Sequence, residues 1–177
     1  MRPVAGAGRI RTLLAAPGRE TREPTAAYLT GGATAVLVGW RETTIDIDLR
    51  FEPERDVLLR AVSRLKDELA INVELASPGD FIPVPDGADD RALHCCTEGS
   101  LTVYHYDLYS QAPAKVERGH DRDLDDVGAL LRLGLIDPRR ALEYLDEIEP
   151  QLFRFPAVDP ADLRRRAEQV FGAERPA

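Results

Sequence analysis

The sequence predicts an α+β protein in which a mixed α/β half precedes an all-helical half, with the boundary near Tyr106. Two observations carry this. The segment 44–51 alternates strictly, with Ile45, Ile47, Leu49 and Phe51 on one face and Thr44, Asp46, Asp48 and Arg50 on the other, which is the period of a half-buried strand. Beyond Asp107 every segment carries helical periodicity, and Pro138 and Pro160 each follow an aspartate, the cap-then-proline pattern of a helix start.

The elements follow in order. A short N-terminal helix is expected within residues 1–16, joined to the core by a charged linker at 17–24 bracketed by prolines. Residues 26–30 form a strand ended by Gly31-Gly32, and the small apolar run 33–38 suits a buried helix stopped by Gly39. After the strand at 44–51, residues 54–69 place Val57, Leu58, Ala61, Leu65 and Leu69 on one helical stripe. A strand at 71–75 comes next, then a loop rich in proline and glycine over 77–90. Strands at 92–97 and 101–106 are joined by the turn Glu98-Gly99-Ser100, and helices are expected over 108–118, 124–133, 138–148 and 160–171. In the second of these, Leu124, Val127 and Leu131 are expected to form the buried stripe. The domain division is therefore 1–106, with 1–24 as N-terminal helix and linker, and 107–177.

Composition narrows the function. The chain has 177 residues, 31% of them charged, and a formal net charge of −8, so non-specific adhesion to nucleic acid or anionic membrane is not its default. Its only lysines are Lys66 and Lys115. Cys95 and Cys96 are adjacent, and a bond between neighbours is a strained ring rather than a staple; no CxxC motif is present. No signal peptide or membrane span is apparent, and a cytoplasmic location is expected.

Asp46-Ile47-Asp48 is the central chemical feature. Carboxylates two apart on a strand point the same way, roughly 6–7 Å apart. They repel unless a cation lies between them, and Mg²⁺ suits such a pair because it takes oxygen ligands and keeps positions open for phosphates. The plainer reading is a solvated strand face. Upstream, Gly31-Gly32 lies between strand and helix, where backbone N–H groups can cradle a phosphate, although a tight turn needs glycine anyway. Asp123 and Asp126 share a helix face, while Arg122 and Asp126 are four apart and could form an exposed pair. Lys115 by its own pattern is a snorkelling surface lysine.

The remaining candidates read as structural. His94, His105 and His120 lack metal-ligand spacing; His105 suits a core position, and His120 closes a helix, where a cation is favoured. Tyr104, Tyr106 and Tyr109 could stack on bases but suit packing. Arg164-Arg165-Arg166 reads as a solvated helix face that could meet RNA or an acidic partner.

Together, 29–35 and 44–49 resemble the signature of the nucleotidyltransferase superfamily of the polymerase-beta type. More narrowly they are similar to the AbiEii-like nucleotidyltransferases of bacterial toxin–antitoxin and phage-defence systems. The nearest likeness is to an uncharacterised branch sharing the run Gly39-Trp40-Arg41. The resemblance extends to 114–120 and 122–127, so it spans roughly residues 28–135. It implies a small mixed sheet with helices on one side and a helical lobe completing the active-site cleft. It implies NMP transfer from an NTP with Mg²⁺, or Mn²⁺ in its place. Asp46 and Asp48 match the metal ligands; Gly31 and Gly32 match the phosphate turn, with Thr34 and Arg122 toward the nucleotide. Lys115 would face the triphosphate, and Asp123 and Asp126 would complete the Arg-Asp-x-x-Asp motif. The chain departs from the pattern at Ala33, where many relatives carry serine or threonine. The third carboxylate of active transferases has only Glu74 or Asp80 as candidates. The acceptor would be RNA, with tRNA disfavoured by net charge, or a protein such as a cognate toxin or antitoxin. A degenerate site acting only as a binding partner is the alternative.

Overall fold

The structure is a computed structural model that describes residues 3–172. It is mixed α/β, and the chain divides into two compact units: Met1–Ser77 with Ala92–Tyr106, and Pro78–Arg91 with Asp107–Ala177. The chain passes from the first unit to the second after Tyr106. The proline-rich segment, however, groups with the helical unit.

The first unit contains α1 (Ala7–Glu20), β1 (Thr25–Thr30), α2 (Gly31–Val38), β2 (Asp46–Glu52), α3 (Asp56–Glu68), β3 (Asn72–Leu75), β4 (Leu93–Glu98) and β5 (Leu101–His105). The strands form one sheet in the order β3-β2-β1-β5-β4. β1 runs antiparallel to β2 and parallel to β5, while β2 is parallel to β3 and β4 antiparallel to β5. The parallel β2–β3 step requires a crossover, which α3 supplies.

One face of this sheet is dry. Ala27, Leu29, Ile47, Leu49, Phe51, Val73, Leu101 and Val103 pack with Ile10, Leu13 and Leu14 of α1, Ala33 and Val36 of α2, and Leu58, Val62 and Leu65 of α3. Strand residues alternate between faces, so the same register sends Tyr28, Thr30, Asp46, Asp48, Arg50, Asn72, Glu74 and Tyr104 to the opposite face. That face carries the polar chemistry. Near the N-terminus Ala5 forms an isolated antiparallel bridge to Thr44, with N···O distances of 2.7 and 2.9 Å, and Thr44 Oγ1 donates to the Asp46 carbonyl at 2.9 Å.

Two expectations are corrected here. The first half of the linker expected at 17–24 is helix, because α1 continues through Pro17 to Glu20. Pro17 costs one helical hydrogen bond, but it and Gly18 are buried, and the close approach of Gly18 to the Glu98 backbone shows tertiary packing holding the turn. Gly31 and Gly32 are not a loop ahead of the helix; they are its first turn.

The second unit contains α4 (Leu108–Arg118), α5 (Asp121–Arg132), α6 (Pro138–Ile148) and α7 (Pro160–Phe171). Asp107, Asp137 and Asp159 cap α4, α6 and α7, accepting from Tyr109 N, Arg140 N and Ala161 N respectively. Segment 78–91 is tied in by Arg91, which donates to buried Asp107 at 2.9 Å and lies 4.3 Å from the Tyr144 ring centroid. Asp86 N also donates to Glu147 at 2.6 Å. Among the described residues no helix is long and apolar enough to cross a membrane.

Candidate active site

β2 positions the two aspartates. Its burial alternates, with Ile47 and Leu49 buried and Asp46 and Asp48 half-buried, so the apolar partners anchor the strand while the carboxylates stand on the polar face. Across the antiparallel ladder Asp48 is paired with Thr30, the last residue of β1. The chain therefore enters α2 directly beside Asp48. Gly31 has φ +58°, and a Cβ there would stand 2.7 Å from Asp48 Oδ2. Only glycine fits both the left-handed backbone and the adjacent carboxylate. At Gly32 a Cβ would collide with the Thr44 side chain.

β3 adds two residues. In the parallel register Asp46 pairs with Asn72 and Asp48 with Glu74, on strands about 4.8 Å apart. Asn72 Nδ2 donates to Asp46 Oδ1 at 2.6 Å and to Glu74 Oε1 at 3.2 Å, so a single amide orients both acids. Glu74 is thus the candidate third carboxylate on this sheet, whereas Asp80 belongs to the second unit. Asn72 is a site residue that the sequence motifs do not single out. Its signal is the alternation of Asn72 and Glu74 with Ile71, Val73 and Leu75, in phase with the aspartates of β2.

Next to the acids is an aromatic cluster. Tyr28 stacks on Tyr104 at 5.5 Å and meets Tyr106 edge-on at 5.8 Å, and the Arg50 guanidinium lies 4.9 and 5.4 Å from the Tyr28 and Tyr106 centroids. These tyrosines pack with one another, in keeping with the plainer reading. Tyr109 likewise packs on Tyr144 at 5.2 Å in the second unit.

Thr34 is corrected. It is 1% exposed, and its hydroxyl donates to Leu29 O at 3.1 Å, which occupies its one proton. The 3.3 Å contact with His105 Nδ1 must then be a bond donated by the imidazole. Thr34 and His105 form a core pair, and burial lowers the His105 pKa below its ordinary value. Thr34 faces the core, away from any nucleotide on the polar face.

The Lys115 constellation lies within the second unit. Lys115 Nζ reaches Asp126 at 2.6 Å and Asp123 at 3.1 Å, and Arg118 donates to Asp123 at 2.6 Å. Lys115, Asp123 and Asp126 are 5%, 7% and 1% exposed. Two cations face two carboxylates, so the cluster is internally neutral. This rotates α5 from its expected setting: Asp123, Asp126, Val127 and Leu130 face inward, while Leu124 is 38% exposed and Leu131 half-buried. The physical reason is that a buried ammonium needs carboxylate partners more than the helix needs Leu124 covered. Arg122 is exposed in the first turn of α5, and Asp126 pairs with Lys115. His120 directly follows Gly119, the C-cap of α4, as expected, and also stands at the N-cap position of α5, where its side chain makes no capping hydrogen bond.

The arginine run is paired: Arg164 with Asp146 and Glu149, Arg165 and Arg166 with Asp162. Among the described residues no group of three or more His, Cys, Asp or Glu side chains is arranged to hold a metal ion. No family model matches the chain, and no curated protein or solved structure matches it.

Proposed function

We propose that this protein is a Mg²⁺-dependent nucleotidyltransferase that moves NMP from an NTP to an RNA or protein acceptor, in a bacterial toxin–antitoxin or phage-defence setting. The observation that carries the reading is the packing of Gly31 against Asp48. A glycine turn opening a helix and an Asp-x-Asp strand, separated along the chain by the 13 residues from Ala33 to Ile45, lie so close that a Cβ on Gly31 would stand 2.7 Å from Asp48 Oδ2. This juxtaposition suits a triphosphate lying along the turn with its charge facing the aspartates.

The donors fit the ion in kind. Asp46 and Asp48 offer hard carboxylate oxygens on one half-exposed face, and Mg²⁺ is commonly held by one or two carboxylates with water and substrate phosphates completing the shell. Bound there, Mg²⁺ would neutralise triphosphate charge. The chain's own residues have separate tasks. Asn72 fixes the Asp46 carboxylate, and the N–H groups of the α2 first turn receive phosphate oxygens. Glu74, opposite Asp48, takes the proton of the acceptor hydroxyl as its oxygen attacks the α-phosphorus. The α–β phosphoanhydride bond breaks and pyrophosphate leaves with the electron pair. Lys115, by contrast, acts by holding α4 to α5.

A degenerate, partner-binding role is the second reading, favoured by the lack of a three-residue metal group among the described residues. Incubation with Mg²⁺ or Mn²⁺, labelled NTPs and either total tRNA or cell lysate separates them. Label on RNA or on a protein, lost in Asp46→Ala, supports the transferase. No label under any condition sinks it.

A further inference from the structure

Adjacent residues of a regular strand point to opposite faces, but Cys95 and Cys96 do not. In the β4–β5 ladder His94 pairs with Tyr104 and Cys96 with Val103, with a register shift between them. Cys95 is the extra residue of a β-bulge. His94 stands on the tyrosine face, where its ring meets Tyr104 edge-on at 5.9 Å; Cys95, one residue on, faces the core. Val103 belongs to the core face, so Cys96 opposite it faces the core too. Both cysteines pack on the apolar cluster and both keep partial exposure. Burial, with the neighbouring Cys95, pushes the Cys96 thiol up to about 11.

We infer that the bulge makes Cys95 and Cys96 a preformed bidentate site for a soft, thiophilic centre of the As(III) or Cu(I) type. The bulge places both sulfurs on one side of the sheet, where a single ligand can bridge them. Hard cations gain little from sulfur. A centre forming two bonds to sulfur displaces both thiol protons. With phenylarsine oxide the balance is closed: two S–H bonds break, two As–S bonds form, and the oxide oxygen leaves as water with both protons. No oxidant is needed.

The test is thermal unfolding of the reduced full chain with phenylarsine oxide, with Cu(I), and with Mg²⁺ as the hard control. An unfolded Cys-Cys pair also binds arsenic, so stabilisation reads the preference for the folded pair. With the probe saturating and the folded pair bound about 100-fold more tightly than the unfolded one, phenylarsine oxide or Cu(I) is expected to raise Tm by about 5–10 °C. Intact mass should show one centre per chain. Cys95→Ser and Cys96→Ser, checked for an unchanged circular dichroism spectrum, should abolish the shift and weaken binding about 100-fold. No stabilisation by either soft probe, an equal shift in the single variants, or an equal shift with Mg²⁺ overturns the inference.

Discussion

Two groups of carboxylates in this protein have the same chemistry and opposite surroundings. On the polar face of the sheet, Asp46 is oriented by the neutral amide of Asn72 and is half-exposed, as is Asp48. Between α4 and α5, Asp123 and Asp126 are buried and meet the cations of Lys115 and Arg118. A carboxylate matched internally by a cation has little left to offer a ligand, and removing its partner strands a buried charge. One steered by an amide on an open face retains its negative charge for an outside cation. Sequence proximity to a motif does not distinguish these two cases; the identity of the partner does.

That contrast can be broken by substitution. The largest effect is expected at Asp46 or Asp48: alanine there should lower NMP transfer by about 10³-fold or more while leaving the urea midpoint nearly unchanged. A loss of stability matching the loss of activity would put these residues with the structural group. Lys115→Met should do the reverse, destabilising the chain by about 3–5 kcal/mol in urea titration. If it leaves stability intact and removes only transfer, Lys115 belongs with the sheet-face residues.

Gly31→Ala lies between the two behaviours. The left-handed backbone costs about 1–2 kcal/mol for a residue with a Cβ, and the added methyl presses on Asp48. Both the urea midpoint and transfer should fall, with transfer falling further. The smallest effect concerns His105. Burial holds its folded pKa below the unfolded value near 6.5, so the unfolded chain binds the proton more readily. This contribution is fully present above about pH 6.5 and is lost as pH falls from there through the lowered folded value. His105→Gln should flatten that decline in urea midpoints taken between pH 7 and pH 5.

Where local chemistry determines an element, the sequence is legible. α4, α6 and α7 have the expected bounds because Asp107, Asp137 and Asp159 accept hydrogen bonds from their first turns. The alternation in β2 predicts its two faces directly. What cannot be read depends on partners distant in sequence. Pro17 sits inside α1 because of its packing. Leu124 is exposed because Lys115, nine residues earlier, draws Asp123 and Asp126 inward. The bulge at Cys95 is set by its register against β5. Of the candidate site, the aspartates and glycines are visible as a motif, and Asn72 emerges only when the β2–β3 register places it opposite Asp46.

The bridge between Ala5 and Thr44 has a practical side. Thr44 holds the Asp46 carbonyl and fills the space beside Gly32, so the strand's entry and the glycine turn share a support that rests on the fifth residue. Trimming the chain past Ala5, or fusing a bulky tag against it, would disturb the aspartates from a place that looks dispensable. An inactive preparation altered at that end would reflect a displaced strand entry rather than the chemistry of the aspartates.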